Sequence, residues 1–513
     1  MDIGGRPSAS ADLRSRPALS VRTKARAPAA DTDERTASEE EPVSPTARLM
    51  EDVYVVVTIG LGSPINVPAF TAGVANLISP YSRFHCIQVT EGGNRRWARV
   101  KVNVDEHIVV PELDPVAVAA NPDRAVEDYV ASLSVYPMDP SRPRWEFHLL
   151  DFPTSEPGVV STVAIRAHHS LGDGVSLMVL LLASARSAAD PTSLPVMPQQ
   201  SVRTGAIYAR QPRHAGALAR VWSWFVLMWH TMVDLCFFSA TILFLRDPHT
   251  VFKPAADDGD DDGDGVFHHH NRRFVHRSLS LDDVKFVKNA MNCTVNDVLL
   301  GVASAALSRY YFRKSGDINT KEICLRSVLG VNIRPTTSLQ TYVNMIKSDK
   351  SNEVAWGNQL GQILLKIHLA MHDDPLAYVR KAKETMDRKK SSLEVVFTHK
   401  TSECFLKMFG PKGGAFIFGR MFTNTTLSFS NMIGPAEQIE LYGHPVVFIA
   451  PSAYGVSQAL IVHYQSYNSI MKVILSVDEK TIPDYHQLLD DFSLSFEHIM
   501  DATSRLLASI KKE

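Results

Sequence analysis

The chain has 513 residues, of which 45% are hydrophobic, and a formal net charge of −2. This length allows two or three domains with sizeable cores, and the near-neutral charge argues against a nucleic-acid-binding protein that relies on a broad basic surface. The five cysteines are scattered and form no CxxC pair, so we expect neither disulfides nor a cysteine-rich zinc site, and we favour a reducing compartment.

Residues 1–45 are predicted to form a disordered tail. They are rich in Ala, Arg, Ser and Pro and contain little that could build a core. The arginines loosely resemble those of an organelle transit peptide, but a tail is the preferred interpretation because the stretch has no clear amphipathic period. The first long apolar run begins near Val53, so no secretory signal is expected.

Residues 46–200 are predicted to form a first α/β domain. A β-branched run at 53–61 indicates a buried strand, and the pattern at 67–78 indicates a helix. Three prolines between Pro137 and Pro143 then impose an extended path. That segment either braces one wall of a cleft or is a rigid surface connection, and its composition favours neither.

The segment HHSLGDG at 168–174 is the strongest candidate for a functional site. It lies between a predicted buried strand at 159–167 and a predicted apolar helix at 175–185. We expect Asp173 to be the N-cap of the helix and Gly174 to permit a tight turn. Such a turn can point an imidazole into a cleft. The alternative is a pair of ordinary hydrogen-bonded histidines and an aspartate that only caps a helix.

Residues 201–270 are predicted to connect two domains, and their most unusual part is a hydrophobic helix at 221–245. As a helix it would be about 37 Å long, enough to span a bilayer. At about 100° per residue, four polar side chains fall on one narrow face: Ser223, His230, Asp234 and Thr241. We therefore predict a helix in the membrane interface with this polar stripe toward the protein. A fully buried core helix is the alternative. The side chains predicted to meet lipid are Trp222, Trp224, Phe225, Trp229, Phe237 and Phe238.

An acidic stretch at 257–264 partly matches a calcium-binding EF-hand loop. His269 stands where that loop requires a glutamate, and no flanking helix pair is evident. We therefore predict a solvated acidic loop and assign no metal site there or to the neighbouring histidines at 268–270.

Residues 271–513 are predicted to form a second α/β domain of comparable size, which closes with an amphipathic helix that begins near Pro483. Within it, helices are predicted at 281–291 and 296–311, and strands at 325–331, 425–429, 446–449, 459–463 and 471–477.

Several ordered motifs resemble those of the plant-type wax ester synthase/diacylglycerol acyltransferase family: PMDPSRPRWE, HHSLGDG, NCTVNDVLLG, VNIRP, WGNQLG and SNMIGP. The resemblance runs from about Glu41 to the C-terminus. It implies a chloramphenicol-acetyltransferase-like fold, in which two related α/β domains enclose a channel. It also implies acyl transfer from a fatty acyl-CoA co-substrate to a long-chain alcohol or diacylglycerol, without a metal, another cofactor or a covalent acyl-enzyme.

The resemblance also implies roles for individual residues. His169 matches the general base, a role that suits an imidazole with an ordinary pKa of about 6.5. His168 is expected to support the turn, and Asp173 to be structural and to pair with an arginine, for which Arg334 is one candidate. The positions that match channel-lining motifs of the second domain are Asn296, Asp297, Ser430 and Asn431. A purely structural role at a helix start is an alternative for the first two.

A shared channel constrains the hydrophobic helix at 221–245. A single crossing would put the two halves on opposite sides of the membrane, and 25 residues are too few to cross twice. We therefore expect an in-plane helix on the cytosolic face of the endoplasmic reticulum, with plastid or plasma membrane as alternatives. The oligomeric state is not indicated.

Rival interpretations remain. A hydroxycinnamoyl-type transferase should carry an Asp-Phe-Gly-Trp-Gly element, which this chain lacks, and a peptide-synthetase condensation domain should accompany a carrier domain. A non-catalytic lipid-binding module is a third possibility, against which the intact histidine motif argues.

Overall fold

A computed structural model of the chain describes residues 41–50, 52–92, 94–198, 217–253, 271–317, 323–333 and 358–510. In this part of the chain the strands form sheets of seven, six and three strands, flanked by helices, which confirms the predicted mixed α/β class. The predicted acidic loop, the histidines at 268–270, Arg334 and most of the predicted tail lie outside the described residues.

The first half of the chain alternates strands with short helices. Several helices begin where the sequence supplies a cap; for example, the Asn66 side chain accepts a hydrogen bond from the Ala69 N–H at the start of α2. The elements are β1 (Glu41–Pro42), α1 (Pro45–Leu49), β2 (Tyr54–Leu61), α2 (Val67–Ile78), β3 (Cys86–Glu91), β4 (Asn94–Arg99), β5 (Ile108–Val109), α3 (Pro115–Ala120), α4 (Pro122–Ser132), β6 (Trp145–Leu150), β7 (Ser161–His168), α5 (Gly174–Ser184) and β8 (Ala185–Ser187).

The second half begins after a long helix, α6 (Ala217–Leu243). Its elements are β9 (Arg272–Ser280), α7 (Leu281–Ala290), α8 (Val295–Ser315), β10 (Ile323–Asn332), β11 (Leu360–Leu369), α9 (Leu376–Lys390), α10 (Glu394–Asn424), β12 (Leu427–Ile433), β13 (Ile439–Leu441), β14 (His444–Tyr454), β15 (Leu460–Tyr467), β16 (Ile470–Asp478) and α11 (Tyr485–Ile510).

The predicted tail ends earlier than expected. Glu41 and Pro42 form β1, which pairs with β4 and begins a three-stranded sheet in the order β1-β4-β3. The next residue, Val43, is buried in the core of the first half. The prediction of a tail through residue 45 is therefore wrong for its last residues, because Val43 finds an apolar partner surface that its local composition does not reveal.

The two large sheets do not follow the predicted division at residue 271. The described strands of the first sheet run in the order β5-β6-β7-β2-β14-β13-β8, so β13 and β14 leave the second half and complete the sheet of the first. Tyr454 of β14 lies opposite Tyr54 of β2. The second sheet has the order β11-β10-β12-β15-β16-β9, and its core packs against α8, α9 and α11.

The polar stripe of α6 faces the protein, as predicted, along most of its length. His230 contacts the Ser391 hydroxyl, with Nδ1 and Oγ 2.6 Å apart. Asp234 forms ion pairs with Arg388 and Lys389, both at 3.1 Å. The remaining stripe residue, Ser223, is exposed. The first turns of α6 extend beyond the part of the protein on which the rest of the helix packs.

The last turn of the stripe joins a buried ionic network. Thr241 Oγ1 accepts a hydrogen bond from Arg326 at 2.6 Å. The Arg326 guanidinium also pairs with the Asp247 carboxylate at 2.6 Å, and both side chains are almost fully buried. This network fixes the C-terminal end of α6 to β10.

The aromatic face of α6 is only partly as predicted. Trp222, Trp224, Phe225 and Trp229 are 53–68% exposed, whereas Phe237 and Phe238 pack on the apolar cluster around Leu364. The prediction that these two phenylalanines meet lipid is wrong. They stand three and four residues after Asp234, which places them within about 60° of the polar stripe that faces the protein.

Helix α10 bends sharply at Gly410, whose φ of 67° lies in the left-handed region that glycine adopts readily. One arm of the helix packs on β11, where the Thr398 hydroxyl donates to the Gln362 carbonyl at 2.8 Å. The other arm returns to α6, where Arg420 donates to the Leu243 carbonyl at 2.7 Å. Around the bend the exposed apolar side chains are Phe405, Met408, Phe409 and Phe416.

Candidate active site

A cavity of about 250 Å³ lies between the two large sheets. Its wall is mainly apolar and is built largely by β2, β7 and α5 of the first half, including Val55, Val57, Ile165, Ala167, Leu177, Met178 and Leu181. The second half contributes from β10, β12, β14 and β15, with polar groups of Asn332, Ser430, Asn431, Ser452 and His463. The predicted channel shared by two halves therefore has a counterpart in the structure.

His169 reaches the cavity from the turn that follows β7. A short 3-10 turn over His169–Leu171 connects β7 to α5, and the backbone N–H of His169 donates to the Val53 carbonyl at 2.9 Å. The imidazole lines the cavity. Its Nδ1 is enclosed without a hydrogen-bond partner among the described residues.

His168 points into the protein rather than into the cavity. It is fully buried, and its ring meets the Tyr54 ring edge-on with centroids 4.9 Å apart. Its Nδ1 accepts the Ser170 N–H at 3.2 Å and contacts the Ser170 hydroxyl at 2.6 Å. That hydroxyl in turn accepts a hydrogen bond from Gln88. This network is consistent with the supporting role predicted for His168.

Asp173 is fully buried and ties the two halves together at the site. One carboxylate oxygen accepts the Ser176 N–H at 2.9 Å, which confirms the predicted N-cap. The other accepts the Gln359 N–H at 3.0 Å, and the neighbouring Asn358 amide donates to the His169 carbonyl at 3.2 Å. The two residues that precede β11 thus clamp the histidine turn.

Gly174 does not have the conformational role that we expected. It is the first residue of α5 and its φ is not positive, so the turn does not require a glycine there. A Cβ atom at this position would instead lie 3.1 Å from the Met432 sulfur. The absence of a side chain keeps this part of the cavity open.

The polar residues predicted in the second half separate into two groups. Ser430 and Asn431 line the cavity, and Asn431 donates to the side-chain oxygen of Asn296 at 2.5 Å. Asp297 is buried in a reciprocal capping box with Thr294 at the start of α8. Asn296 therefore supports a cavity residue, whereas Asp297 has the structural role that was the alternative.

Burial shapes the electrostatics of the site. The low-polarity surroundings lower the pKa of His169 below its ordinary value, and the nearby Asp173 carboxylate, the His169 carbonyl and Asn358 offset part of that effect. The imidazole is therefore neutral near pH 7, the form that a general base requires.

Three features of the cavity were not predicted. Asn358 and Gln359 belong to the WGNQLG motif, but no local pattern indicates that they clamp the histidine turn. Trp145, the first residue of β6 after the proline-rich segment, lines the cavity and donates to the Phe84 carbonyl at 2.9 Å. His463 lies in an apolar strand and gave no signal in the sequence.

Comparisons with known proteins identify the family. A model described as the wax ester synthase/diacylglycerol acyltransferase catalytic domain matches residues 87–299, and one described as the WS/DGAT C-terminal domain matches residues 356–500. The chain belongs to this family. The predicted resemblance to the WS/DGAT family is thus confirmed. Membership supports an acyl-CoA-dependent O-acyltransferase activity and argues against the rival interpretations.

Relatives of similar length support this membership. Wax ester synthase/diacylglycerol acyltransferase 11 of Arabidopsis thaliana is 39% identical over 494 residues, covering 92% of this chain and 97% of the relative. Wax ester synthase/diacylglycerol acyltransferase 6 of the same species is 38% identical over 504 residues, covering 92% of this chain and 95% of the relative. The family implies an acyl-CoA and an alcohol or acylglycerol as substrates.

Solved structures confirm the fold class. The WS/DGAT enzyme from Marinobacter aquaeolei VT8 has a TM-score of 0.56 at 18% identity, with 90% of this chain and 99% of that chain covered. The first condensation domain of the CDA synthetase has a TM-score of 0.51 at 10% identity, with 89% and 92% covered. At these identities the likeness concerns the fold, which is the predicted chloramphenicol-acetyltransferase-like arrangement.

Proposed function

We propose that this WS/DGAT enzyme esterifies long-chain alcohols and diacylglycerol with His169 as the general base. The observation that carries the proposal is the position of His169: its imidazole lines the apolar cavity between the two halves, and Asn358 holds its backbone by donating to the His169 carbonyl. An apolar cavity suits substrates with long hydrocarbon chains, and excluding water from it protects the thioester from hydrolysis.

The proposed reaction needs one base and one stabilised oxyanion. Nε2 of neutral His169 accepts the hydroxyl proton while the alcohol oxygen forms a bond to the thioester carbon. The carbonyl oxygen gains negative charge, for which the polar side chain of Asn431 is the candidate partner. As the carbon–sulfur bond breaks, the imidazolium returns the proton to the CoA thiolate. The products are an ester and free CoA.

A direct assay tests this mechanism. Purified enzyme is incubated with labelled palmitoyl-CoA and either hexadecanol or diacylglycerol, and ester formation is compared between the wild type and His169→Ala. We expect a loss of at least about 100-fold, since general base catalysis contributes roughly 10² to 10⁴. Equal rates would remove His169 as the base, and absence of ester from the wild type with both acceptors would refute the proposed substrates.

We also propose that the exposed aromatic face of α6 contacts a membrane. Length and composition would allow α6 to span a bilayer, yet Asp234, Thr241 and the C-terminal turn are fixed to the second half. An in-plane position leaves Trp222, Trp224, Phe225 and Trp229 toward lipid, as in interfacial helices. We place this contact on the cytosolic face of the endoplasmic reticulum, where insoluble acceptors can enter the cavity from the lipid.

Flotation with phosphatidylcholine/phosphatidylserine vesicles tests the membrane contact. Replacing Trp224, Phe225 and Trp229 together by serine should reduce vesicle binding by about tenfold or more, because three exposed aromatic anchors are lost. Val116→Ser, on the exposed surface of α3, is the matched control. Undiminished vesicle binding by the triple variant would refute the role of α6. Finding a tagged form of the protein in a different membrane of intact cells would refute the proposed location.

A further inference from the structure

His463 is a second histidine of the cavity, and it comes from the other half of the molecule. It lies on β15, directly opposite Ser430 on the neighbouring parallel strand β12. Residues in register on adjacent strands share one face of a sheet, and both side chains line the cavity. His463 has no role in the mechanism proposed above.

One ring nitrogen of His463 lacks a partner in the part of the protein that the structure describes. Its Nε2 is buried and has no hydrogen bond among the described residues. Burial lowers the pKa of His463 to about 4, so the ring is neutral near pH 7 and offers one N–H donor and one acceptor. An unpartnered buried polar group is costly, and a ligand oxygen in the cavity would remove that cost.

The two acceptor classes differ in the oxygens that they bring to such a group. A long-chain alcohol has only its reacting hydroxyl, which His169 accommodates. Diacylglycerol has the same hydroxyl and, within a few bonds of it, two ester carbonyls. The acyl-CoA thioester is common to both reactions. A polar group of the cavity other than His169 therefore finds a partner in diacylglycerol and none in a long-chain alcohol.

We propose that His463 and Ser430 form a subsite that binds an ester carbonyl of diacylglycerol and so favours triacylglycerol over wax ester formation. The proposal rests on the function proposed above. An imidazole N–H donates to the carbonyl, and the Ser430 hydroxyl, its neighbour across the strand pair, supplies a second donor. No covalent step is involved.

The experiment compares kcat/KM for diacylglycerol and for hexadecanol in the wild type and in His463→Phe. Loss of one buried hydrogen bond is expected to lower the diacylglycerol value by about tenfold, with the hexadecanol value changed by less than about threefold. His463→Gln retains a donor and should restore most of the diacylglycerol activity.

His276→Phe is the matched control. His276 lies in register with Ile474, which is itself opposite His463, so both histidines are on the same face of the second sheet. One of its ring nitrogens, Nδ1, is likewise buried without a partner among the described residues, but the ring packs on Phe448 and does not line the cavity. Its replacement should leave the ratio of the two activities unchanged.

A substrate analogue makes the test independent of the folding of any variant. A dialkylglycerol, in which ethers replace the two esters, should be about tenfold poorer than diacylglycerol for the wild type and equal to it for His463→Phe. The subsite would be overturned if His463→Phe lost activity equally with diacylglycerol and hexadecanol, so that the ratio of the two activities stayed unchanged. It would also be overturned by a wild type that uses hexadecanol but not diacylglycerol. A wild type that esterifies neither acceptor would instead overturn the proposed function.

Discussion

Replacing Asp173 by asparagine tests the clamp that holds the histidine turn. The carboxylate accepts backbone hydrogen bonds from Ser176 and Gln359, at 2.9 and 3.0 Å. Asparagine keeps one acceptor oxygen and still caps α5, but its amide nitrogen cannot accept the N–H of Gln359. A charge-assisted hydrogen bond is lost in a buried site, so we expect the free energy of unfolding to fall by about 1.5–3 kcal/mol.

The same substitution should alter the catalytic pH profile. The Asp173 carboxylate favours the protonated form of His169, so its neutralisation lowers the pKa of His169 further and moves the acid limb of kcat/KM to lower pH. Loss of the clamp misplaces the imidazole, and we expect kcat to fall by about tenfold to a hundredfold.

Two measurements check these expectations. Urea unfolding gives the stability, and acyl transfer to hexadecanol between pH 4.5 and 8 gives the profile. Asp190→Asn is the control, because the Asp190 carboxylate accepts hydrogen bonds from the N–H and the hydroxyl of the nearby Thr192 in an exposed loop. Unchanged stability, kcat and acid limb in the Asp173 variant would refute the clamp.

Three further outcomes are expected. Asn358→Leu, which loses the hydrogen bond to the His169 carbonyl, should lower kcat about tenfold while the KM for hexadecanol changes less than twofold in steady-state assays. In the wild type, kcat/KM should fall with a midpoint below pH 6.5 as His169 becomes protonated, because burial lowers its pKa; a midpoint above 6.5 would contradict this. Asp247→Ala leaves the buried Arg326 guanidinium without its carboxylate partner and should lower the free energy of unfolding by about 3–5 kcal/mol, measured in urea.

Local patterns predicted much of the fold and the centre of the site. The helix predicted at 67–78 has those bounds in α2, and the N-cap predicted at Asp173 is observed. These features depend on neighbouring residues: hydrophobic periodicity for the helix and side-chain chemistry for the cap. The family resemblance added the second half of the cavity wall, including Ser430 and Asn431.

The features that were missed depend on contacts between distant segments. Gln359 meets Asp173 only after both halves have folded, and the strand that carries His463 reads simply as buried. Helix α10 was overlooked because Gly410 and Pro411 interrupt its pattern, whereas tertiary contacts with β11 and α6 stabilise both arms.

The position of β14 in the first sheet affects how the chain folds during its synthesis on the ribosome. Strand β2 lies between β7 and β14, and its partner Tyr454 is 400 positions after Tyr54. One edge of β2 therefore stays unpaired until nearly the whole chain has been synthesised, which makes folding slow and exposes the nascent chain to aggregation. A truncated chain that ends before residue 444 would lack β14. Its first sheet would then miss a central strand, and its first half could not fold on its own.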